Sequence, residues 1–493
     1  MYRLTLYSLI FLVVGGVALA ATHALPYNPL SLAFSAVFLL IICLTVNYLF
    51  TKIYRAPSNT ESVYITALIL ALIITPPTNA AQCMFLVWAS VFAMASKYVL
   101  AVGKKHIFNP AAFGVALTAL AFNQYASWWI GTLCMLPLVA ISGFLITRKI
   151  KRWDLVLSFL AVSAAMVIGH AFLAGQNSMF IAKALLIDSP LLFFSLIMLT
   201  EPATTPPTTN KRMMYGALTG VLYAPFVNIF GFYFSPELAL LAGNIFSYLV
   251  SPKEKLILQL KEKISIANNT YDFIFEPKGL FKFHPGQYLE WTLAHKKRDT
   301  RGIRRYFTIA SSPTENTVRI GVKFYDKPSS YKQALETLDK GEEIIASQLA
   351  GDFTLPKNPD QKLVFIAGGI GITPFRSMIK YLIDTNERRD IILFYANNSF
   401  ADIAYQEVFK EAQEKLGTKT IYTLHDSNGI PAGFDHEIGF ISSQMIKKKA
   451  PDYQERIFYI SGPRSMIVSF QQTLKEMGVP KNHIKTDFFP GFA

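Results

Sequence analysis

Cysteine is scarce. The 493 residues hold three, Cys43, Cys83 and Cys134, each inside an apolar run and none in a Cys-x-x-Cys spacing. That excludes a disulfide framework and leaves too few thiolates for a four-cysteine iron–sulfur cluster, so no such cluster and no metal site is expected of this chain. Electrons moving through it would need flavins. Charge is scarce too, on one side of Ser251-Pro252: 13 Lys/Arg and 5 Asp/Glu stand before it, against 34 and 28 after it. The overall charge of +14 does not mark a nucleic-acid partner. The basic residues of the first half sit mostly in short loops between apolar runs.

Those runs fall at about 3–22, 30–51, 62–77, 80–99, 110–125, 127–147, 153–174, 180–200, 213–232 and 236–251. A bilayer core needs roughly 20 helical residues, with about 17 as the lower limit. Most runs qualify; three are short. About ten spans in a lipid bilayer are therefore expected. Basic residues then set the orientation. Arg3, Lys52/Arg55, Lys104/Lys105, Arg148–Arg152, Lys211/Arg212 and Lys253/Lys255 fall in alternate loops, and the loops near His23, Pro76-Pro77, Gln124 and Gln176 have no Lys or Arg. The positive-inside rule places both termini on the cytoplasmic side of a multi-pass inner-membrane protein. Asn109-Pro110 opens the fifth run and Ser235-Pro236 the tenth, the spacing expected of two five-span halves in inverted repeat or of proline in a first helical turn. Asp188, with Lys183 on the same run, is the candidate for an ion path.

The segments Thr200-Glu201-Pro202-Ala203-Thr204-Thr205, Thr208-Thr209-Asn210-Lys211 and Tyr215–Val221, with Ile107–Ala111, resemble the NqrB/RnfD family. These are membrane subunits of the sodium-pumping NADH:quinone reductase and the Rnf complex. The resemblance covers about residues 1–252. It implies flavin and quinone chemistry in the membrane, with Asn109, Thr204 and Thr205 as candidate binding residues and Lys211 and Arg212 near a phosphate or a quinone carbonyl. The family's Ser/Thr-Gly-Ala-Thr loop, which carries covalent FMN, is absent here. A non-covalent flavin, FMN or riboflavin, is what remains of that expectation.

After Leu256 short strand-like runs take over, and beyond residue 361 strands alternate with helices, predicting an antiparallel barrel followed by an α/β domain. Ile366-Ala367-Gly368-Gly369-Ile370-Gly371-Ile372-Thr373-Pro374 ends an apolar strand and opens a helix, where backbone N–H groups and the helix dipole suit a pyrophosphate. Upstream stands Arg305-Tyr306-Phe307-Thr308; downstream, Ser461-Gly462-Pro463-Arg464 follows the strand 457–460. In this order the three motifs resemble the ferredoxin–NADP reductase superfamily, over about 254–493.

That resemblance implies FAD and NAD(P)H as cofactors. Arg305 would face the FAD pyrophosphate, Phe307 would pack on the isoalloxazine, and Thr308 would bond near its N5. Gln287 and Tyr288 would line the flavin, Ser329 and Ser330 its phosphates. Gly368, Gly369, Gly371, Thr373, Pro374, Gly462 and Pro463 would cradle the dinucleotide. Ser461 would stand beside the nicotinamide, where many relatives have cysteine, and Phe492 would lie over the flavin. Thr308 and Ser461 are the catalytic candidates. After Tyr395, where a 2′-phosphate would be read, no Arg follows, which leans toward NADH.

The expected architecture is multi-domain: an all-α polytopic membrane domain (1–252), an FAD-binding β-barrel (253–358) and an NAD(P)-binding α/β domain (359–493). The expected function is a membrane-bound flavoprotein oxidoreductase. It would pass electrons from NAD(P)H through FAD to a membrane-domain carrier, a quinone or a trans-membrane acceptor, with a quinone or a redox partner protein as partner. Two alternatives stay open: a redox-driven ion transporter, and a flavin or ferric reductase that the first half merely anchors.

Overall fold

The computed structural model describes residues 2–54, 60–102, 105–229, 231–251, 256–279, 281–295, 299 and 302–487. Two compact units divide the chain, one within Met1–Lys255 and the other within Leu256–Phe489. Of the residues named above, Arg55, Lys104, Pro252, Lys253, Lys255 and Phe492 lie outside the described ones.

The first unit is helical: α1 Tyr2–Ala21, α2 Pro29–Ile53, α3 Thr60–Ile73, α4 Ala80–Val99, α5 Pro110–Phe122, α6 Leu136–Ile150, α7 Trp153–Leu173, α8 Ser178–Ile187, α9 Leu191–Phe193 running into a π-turn to Met198, α10 Thr209–Leu222 and α11 Pro236–Val250. Asparagine starts four of these. Asn28, Asn79, Asn109 and Asn177 each accept first-turn N–H groups through the side chain, and proline comes next at Pro29 and Pro110, where no N–H is needed.

The expectation of about ten spans is corrected. Among the described residues four helices, α1, α2, α4 and α7, are long and apolar enough to cross a membrane, or five if α8 and α9 cross as one. Apolar composition outruns helix length for physical reasons. The run at 127–147 begins with irregular, turning backbone, Trp128 itself lying at φ +52°: Trp128 N–H donates to Ile73 O (2.9 Å), Ile130 N–H to Leu72 O (3.3 Å), and Trp129 Nε1–H to Ala71 O (2.9 Å). These bonds satisfy carbonyls that the end of α3 leaves free. The run at 180–200 bends by 57° at the break before Leu191, where Pro190 brings no N–H. The run at 213–232 stops being helical at Leu222 and turns into a hairpin.

The order of elements repeats. A short hairpin, β1 Ala101–Val102 with β2 Lys105–His106, precedes α5; another, β3 Asn228–Ile229 with β4 Phe232–Tyr233, precedes α11. Thr75-Pro76-Pro77-Thr78 leads into α4, and Thr205-Pro206-Pro207-Thr208 into α10. Small residues bring helices close. A Cβ on Gly216 of α10 would lie 2.6 Å from Leu155 O of α7, and one on Gly220 2.9 Å from Phe159 O.

The second unit opens with an antiparallel sheet in the order β8-β7-β10-β5-β6-β9. Its strands are β5 Leu256–Ala267, β6 Thr270–Pro277, β7 Tyr288–Thr292, β8 Arg304–Thr308, β9 Val318–Lys323 and β10 Glu343–Ala350, with helix α12 Ser330–Glu336 between the last two. A parallel sheet comes next, in the order β14-β13-β12-β11-β15-β16: β11 Leu363–Gly368, β12 Ile391–Asn397, β13 Lys419–Leu424, β14 Glu437–Ile438, β15 Ile457–Ser461 and β16 Ile484–Thr486. It carries helices α13 Thr373–Thr385, α14 Gln406–Leu416, α15 Ser443–Lys449 and α16 Arg464–Glu476. Leu363 to Gly368 are all buried, as a central parallel strand requires. Strand order reverses between β11 and β15, the switch point where nucleotides bind in such folds.

One surface network gives the α/β domain an acid limit. Asp452 bonds Arg456 Nε (2.6 Å) and Lys362 Nζ (2.8 Å). The Arg456 hydrogen bond, with a smaller contribution from that of Lys362, lowers its pKa to about 2. A depressed carboxylate contributes stability above its unfolded value near ~4 and loses it as pH falls through the folded one. An Asp452→Asn variant is expected to be about 1 kcal/mol less stable at neutral pH and to show a shallower loss between pH ~4 and ~2. Denaturant melts across that range check it; parallel acid limbs would contradict it.

Candidate functional site

The candidate site lies where three strand ends meet. Thr308 ends β8 opposite Tyr288 of β7, Ser461 ends β15, and Asp487 stands just after β16, fixed by its N–H to Ile460 O (2.9 Å). Asp487 Oδ2 accepts from Thr308 Oγ1 (3.3 Å) and from Ser461 Oγ (3.2 Å). The two catalytic candidates are thus joined through one carboxylate, which belongs to none of the three sequence motifs. Its signal in the sequence is slight, an acid placed just after a late strand.

The glycines divide by what surrounds them. Gly371 sits against the β15 loop: an added Cβ would be 2.5 Å from Ser461 O and 2.6 Å from Gly462 Cα. A Cβ on Gly462 would lie 3.2 Å from Gly368 Cα, and one on Gly368 would meet Pro463 Cδ at 3.1 Å. Gly369, at φ +51°, opens onto empty space, which gives a phosphate room to approach the backbone. Thr373 and Pro374 open α13 directly behind it.

On the barrel, Phe307 is half-buried and Thr308 buried. Gln287 Oε1 accepts from His284 N–H (2.8 Å), and Tyr288 packs edge-on against Tyr306. The Arg305 guanidinium lies 5.1 Å over the Tyr331 ring, bonds Gly302 O and Arg304 O, and stands 3.4 Å from Asp299. Ser329 Oγ caps α12, accepting from Lys332 N–H, and Ser330 Oγ accepts from Asp299 N–H and meets His295 Nε2 (3.0 Å). Both hydroxyls are therefore engaged within the protein.

Barrel and α/β domain share a buried charge cluster. Tyr405 donates to Asp272, Arg319 approaches the same carboxylate (3.5 Å), and Arg376 pairs with Glu315. Burial raises the Asp272 pKa, offset in part by Tyr405, Arg376 and Arg319.

In the helical unit, Asn109 sits at a crossing of polar groups. Its N–H donates to Asn244 Oδ1 (2.7 Å), its Nδ2 to Glu201 Oε2 (2.9 Å), and Asn244 Nδ2 donates to Tyr215 OH (3.0 Å). His106 Nε2 lies 3.6 Å from Glu201. Beside them opens a cavity of ≈ 630 Å³, counting its open mouth. Ser62, Thr66, Asn109, Thr200 and Glu201 give it polar groups, and Ile65, Ile69, Ile146, Ile150 and Ile197 line it with apolar wall. Thr204 and Thr205 are buried next to Glu201 but do not line it. Lys211 bonds Val250 O and Arg212 bonds Asp154 (2.6 Å), so both cations are engaged away from the cavity. Asp188 caps α8 with an exposed side chain, and Lys183 is exposed too. A deeply buried acid of this unit is Glu237, in the first turn of α11, which accepts from Trp128 Nε1 (3.0 Å).

Comparison with known proteins bears on the second unit. Residues 365–472 match the family described as oxidoreductase NAD-binding domain. A glycine betaine monooxygenase reductase subunit of Chromohalobacter salexigens is 28% identical over 228 residues, 45% of this chain and 60% of that one. A flavohemoprotein of Halalkalibacterium halodurans is 26% identical over 221 residues, 43% of this chain and 53% of that one. The chain thus spans 60% or less of the length of these relatives. Among solved structures, the cytochrome b5 reductase domain of Ulva prolifera nitrate reductase is similar, at 23% identity and TM-score 0.42 over 48% of this chain and 98% of that one. Through this half the chain is an oxidoreductase, similar there to reductase subunits and flavohemoproteins, with the NAD-binding match inside it.

If Asp487 sets the distance between the Thr308 and Ser461 hydroxyls, Asp487→Ala should cut flavin reduction by NADH about 10- to 100-fold with FAD content unchanged, the usual cost of about 1 Å of misplacement. Single-turnover stopped-flow measurements read this; a wild-type rate would show that the carboxylate has no positioning role.

Proposed function

We propose that the chain is a membrane-embedded flavoprotein reductase, moving electrons from NAD(P)H through FAD in its second unit to an acceptor served by its first. The observation that carries the reading is the meeting of Thr308, Asp487 and Ser461 beside the packed Gly371–Gly462 contact. Bound FAD would supply the change from two-electron to one-electron chemistry. Its fit rests on the half-buried Phe307 ring and the Arg305–Tyr331 stack.

The chain's own residues then position and exclude. Gly369 and Gly371, with the first turn of α13, hold the dinucleotide phosphates. Ser461 orients the nicotinamide carboxamide from one side, and Thr308 bonds the flavin edge from the other. Asp487 fixes the spacing between these hydroxyls, and little acid–base work is left for the protein. In the helical unit, resemblance to NqrB/RnfD proteins and the polar-ended cavity at Asn109 and Glu201 support a non-covalent flavin or a quinone as next carrier. The apolar helices support a multi-pass membrane location.

The test is cofactor analysis of purified full-length protein. One FAD per chain, bleached by NADH or NADPH without oxygen, is expected, together with a second, non-covalent flavin or reduction of an added quinone. Absence of FAD, or FAD that neither dinucleotide bleaches, would end the reading. A second reading, redox-driven ion movement, is favoured by the buried Glu237–Trp128 pair. Proteoliposomes given NADH and quinone should then take up ions in a way Glu237→Gln abolishes; equal uptake by that variant would remove its basis.

A further inference from the structure

The end of strand β12 bears on which dinucleotide the reductase unit accepts, a question resting on the hydride-transfer reading above. In a parallel sheet of this kind the pyrophosphate lies at the loop after the first strand. The adenosine ribose then lies at the end of the next strand, where an acid bonds a free 2′-hydroxyl or an arginine accommodates a 2′-phosphate. Here β11 carries the glycine loop, and β12 ends at Asn397.

The segment beyond β12 is acidic. From Ala396 to Phe409 there is no Lys, Arg or His, while Asp402 and Glu407 are present. The exit of β13 is tied to the same edge: His425 N–H donates to Asn397 O (3.2 Å) and Asp426 N–H to Asn398 O (2.7 Å). This puts the exposed Asp426 beside Asn398. Its Oδ1 is held by Asn428 N–H (2.9 Å) and Nδ2 (2.7 Å). On the other side, Asp402 Oδ2 accepts from Ser399 N–H (3.2 Å) and Oγ (2.9 Å). The nearby cation, Lys323 of β9, is already bonded to Asp402 Oδ1 (2.6 Å).

We infer that the Asn398-Ser399 edge, flanked by Asp402 and Asp426, selects NADH over NADPH, Asp426 being the discriminating residue. An ionised carboxylate only accepts hydrogen bonds. It can take the ribose hydroxyl of NADH but repels the added phosphate of NADPH, for which the 396–409 segment offers no cation.

The test compares kcat/KM for NADH and NADPH with ferricyanide as acceptor, on the full-length flavoprotein in detergent. The wild type should favour NADH at least tenfold. Asp426→Ser should lower the ratio several-fold, and Asn398→Arg/Asp426→Ser at least tenfold, with FAD content showing that each variant is folded. A wild type that uses NADPH equally well, or folded variants with an unchanged ratio, would overturn the inference while leaving hydride transfer intact. A wild type reduced by neither dinucleotide would overturn the hydride-transfer reading, and this one with it.

Discussion

Gly371→Val is expected to keep its FAD and to lose at least two orders of magnitude in the rate at which NADH reduces it. The cause is geometric. Even a Cβ at this position would sit 2.5 Å from Ser461 O and 2.6 Å from Gly462 N and Cα, all backbone atoms that have no rotamer to yield with. Two branches more would push the β11 and β15 loops apart by about an ångström or more, and about 1 Å of misplacement at reacting centres costs roughly 100-fold. Ser461 would move with its loop and leave Asp487. The barrel strands β7 and β8 are untouched, so FAD should remain. Stopped-flow bleaching of the oxidised flavin, set beside flavin content, separates the two effects. A variant reduced at the wild-type rate would show that the loop contact plays no part in positioning the nicotinamide.

Gly286→Val is expected to act on stability rather than rate, and to be the most damaging single change in the reductase unit. Gly286 holds φ +90°, and its missing side chain would run into Phe353 O and the Met378 methyl of α13. Left-handed strain in a β-branched residue and a backbone collision add to about 4 kcal/mol or more. For a unit of this size that corresponds to a fall of about 10 °C in melting temperature, or to no folded protein. Release of flavin fluorescence on heating measures it. A melting point within a degree or two of wild type would refute the expected clash.

Legibility differed sharply between the halves. The barrel and the α/β sheet could be read because their motifs demand special backbone: a glycine loop at a strand end, and a Ser-Gly-Pro turn after a buried strand. Such demands leave residue-specific traces. Asp487 left only a slight one, since an aspartate after a short strand is ordinary until the fold brings Thr308 and Ser461 to it. The helical half misled in count because hydropathy records burial and not helix length. Trp128-Trp129-Ile130 is apolar, yet it is turning, non-helical backbone serving the end of α3. Pro190 was visible, but its consequence, a bend of 57°, was not. A missed trace was the recurrence of Thr-Pro-Pro-Thr at Thr75 and Thr205, which marks the repeated order of elements more directly than the Asn109-Pro110 and Ser235-Pro236 pair.

The bonds from residues 128–130 back to α3 also set the order of assembly during synthesis. Carbonyls of Ala71, Leu72 and Ile73 wait for donors lying more than fifty residues further along the chain. Until those donors leave the ribosome, α3 lacks these partners, and in the membrane placement proposed above lipid would offer none in their stead. In that placement the helical unit would not mature one hairpin at a time. Its first five helices would be held, by the insertion machinery or by one another, until the Trp128-Trp129 segment arrives to close them.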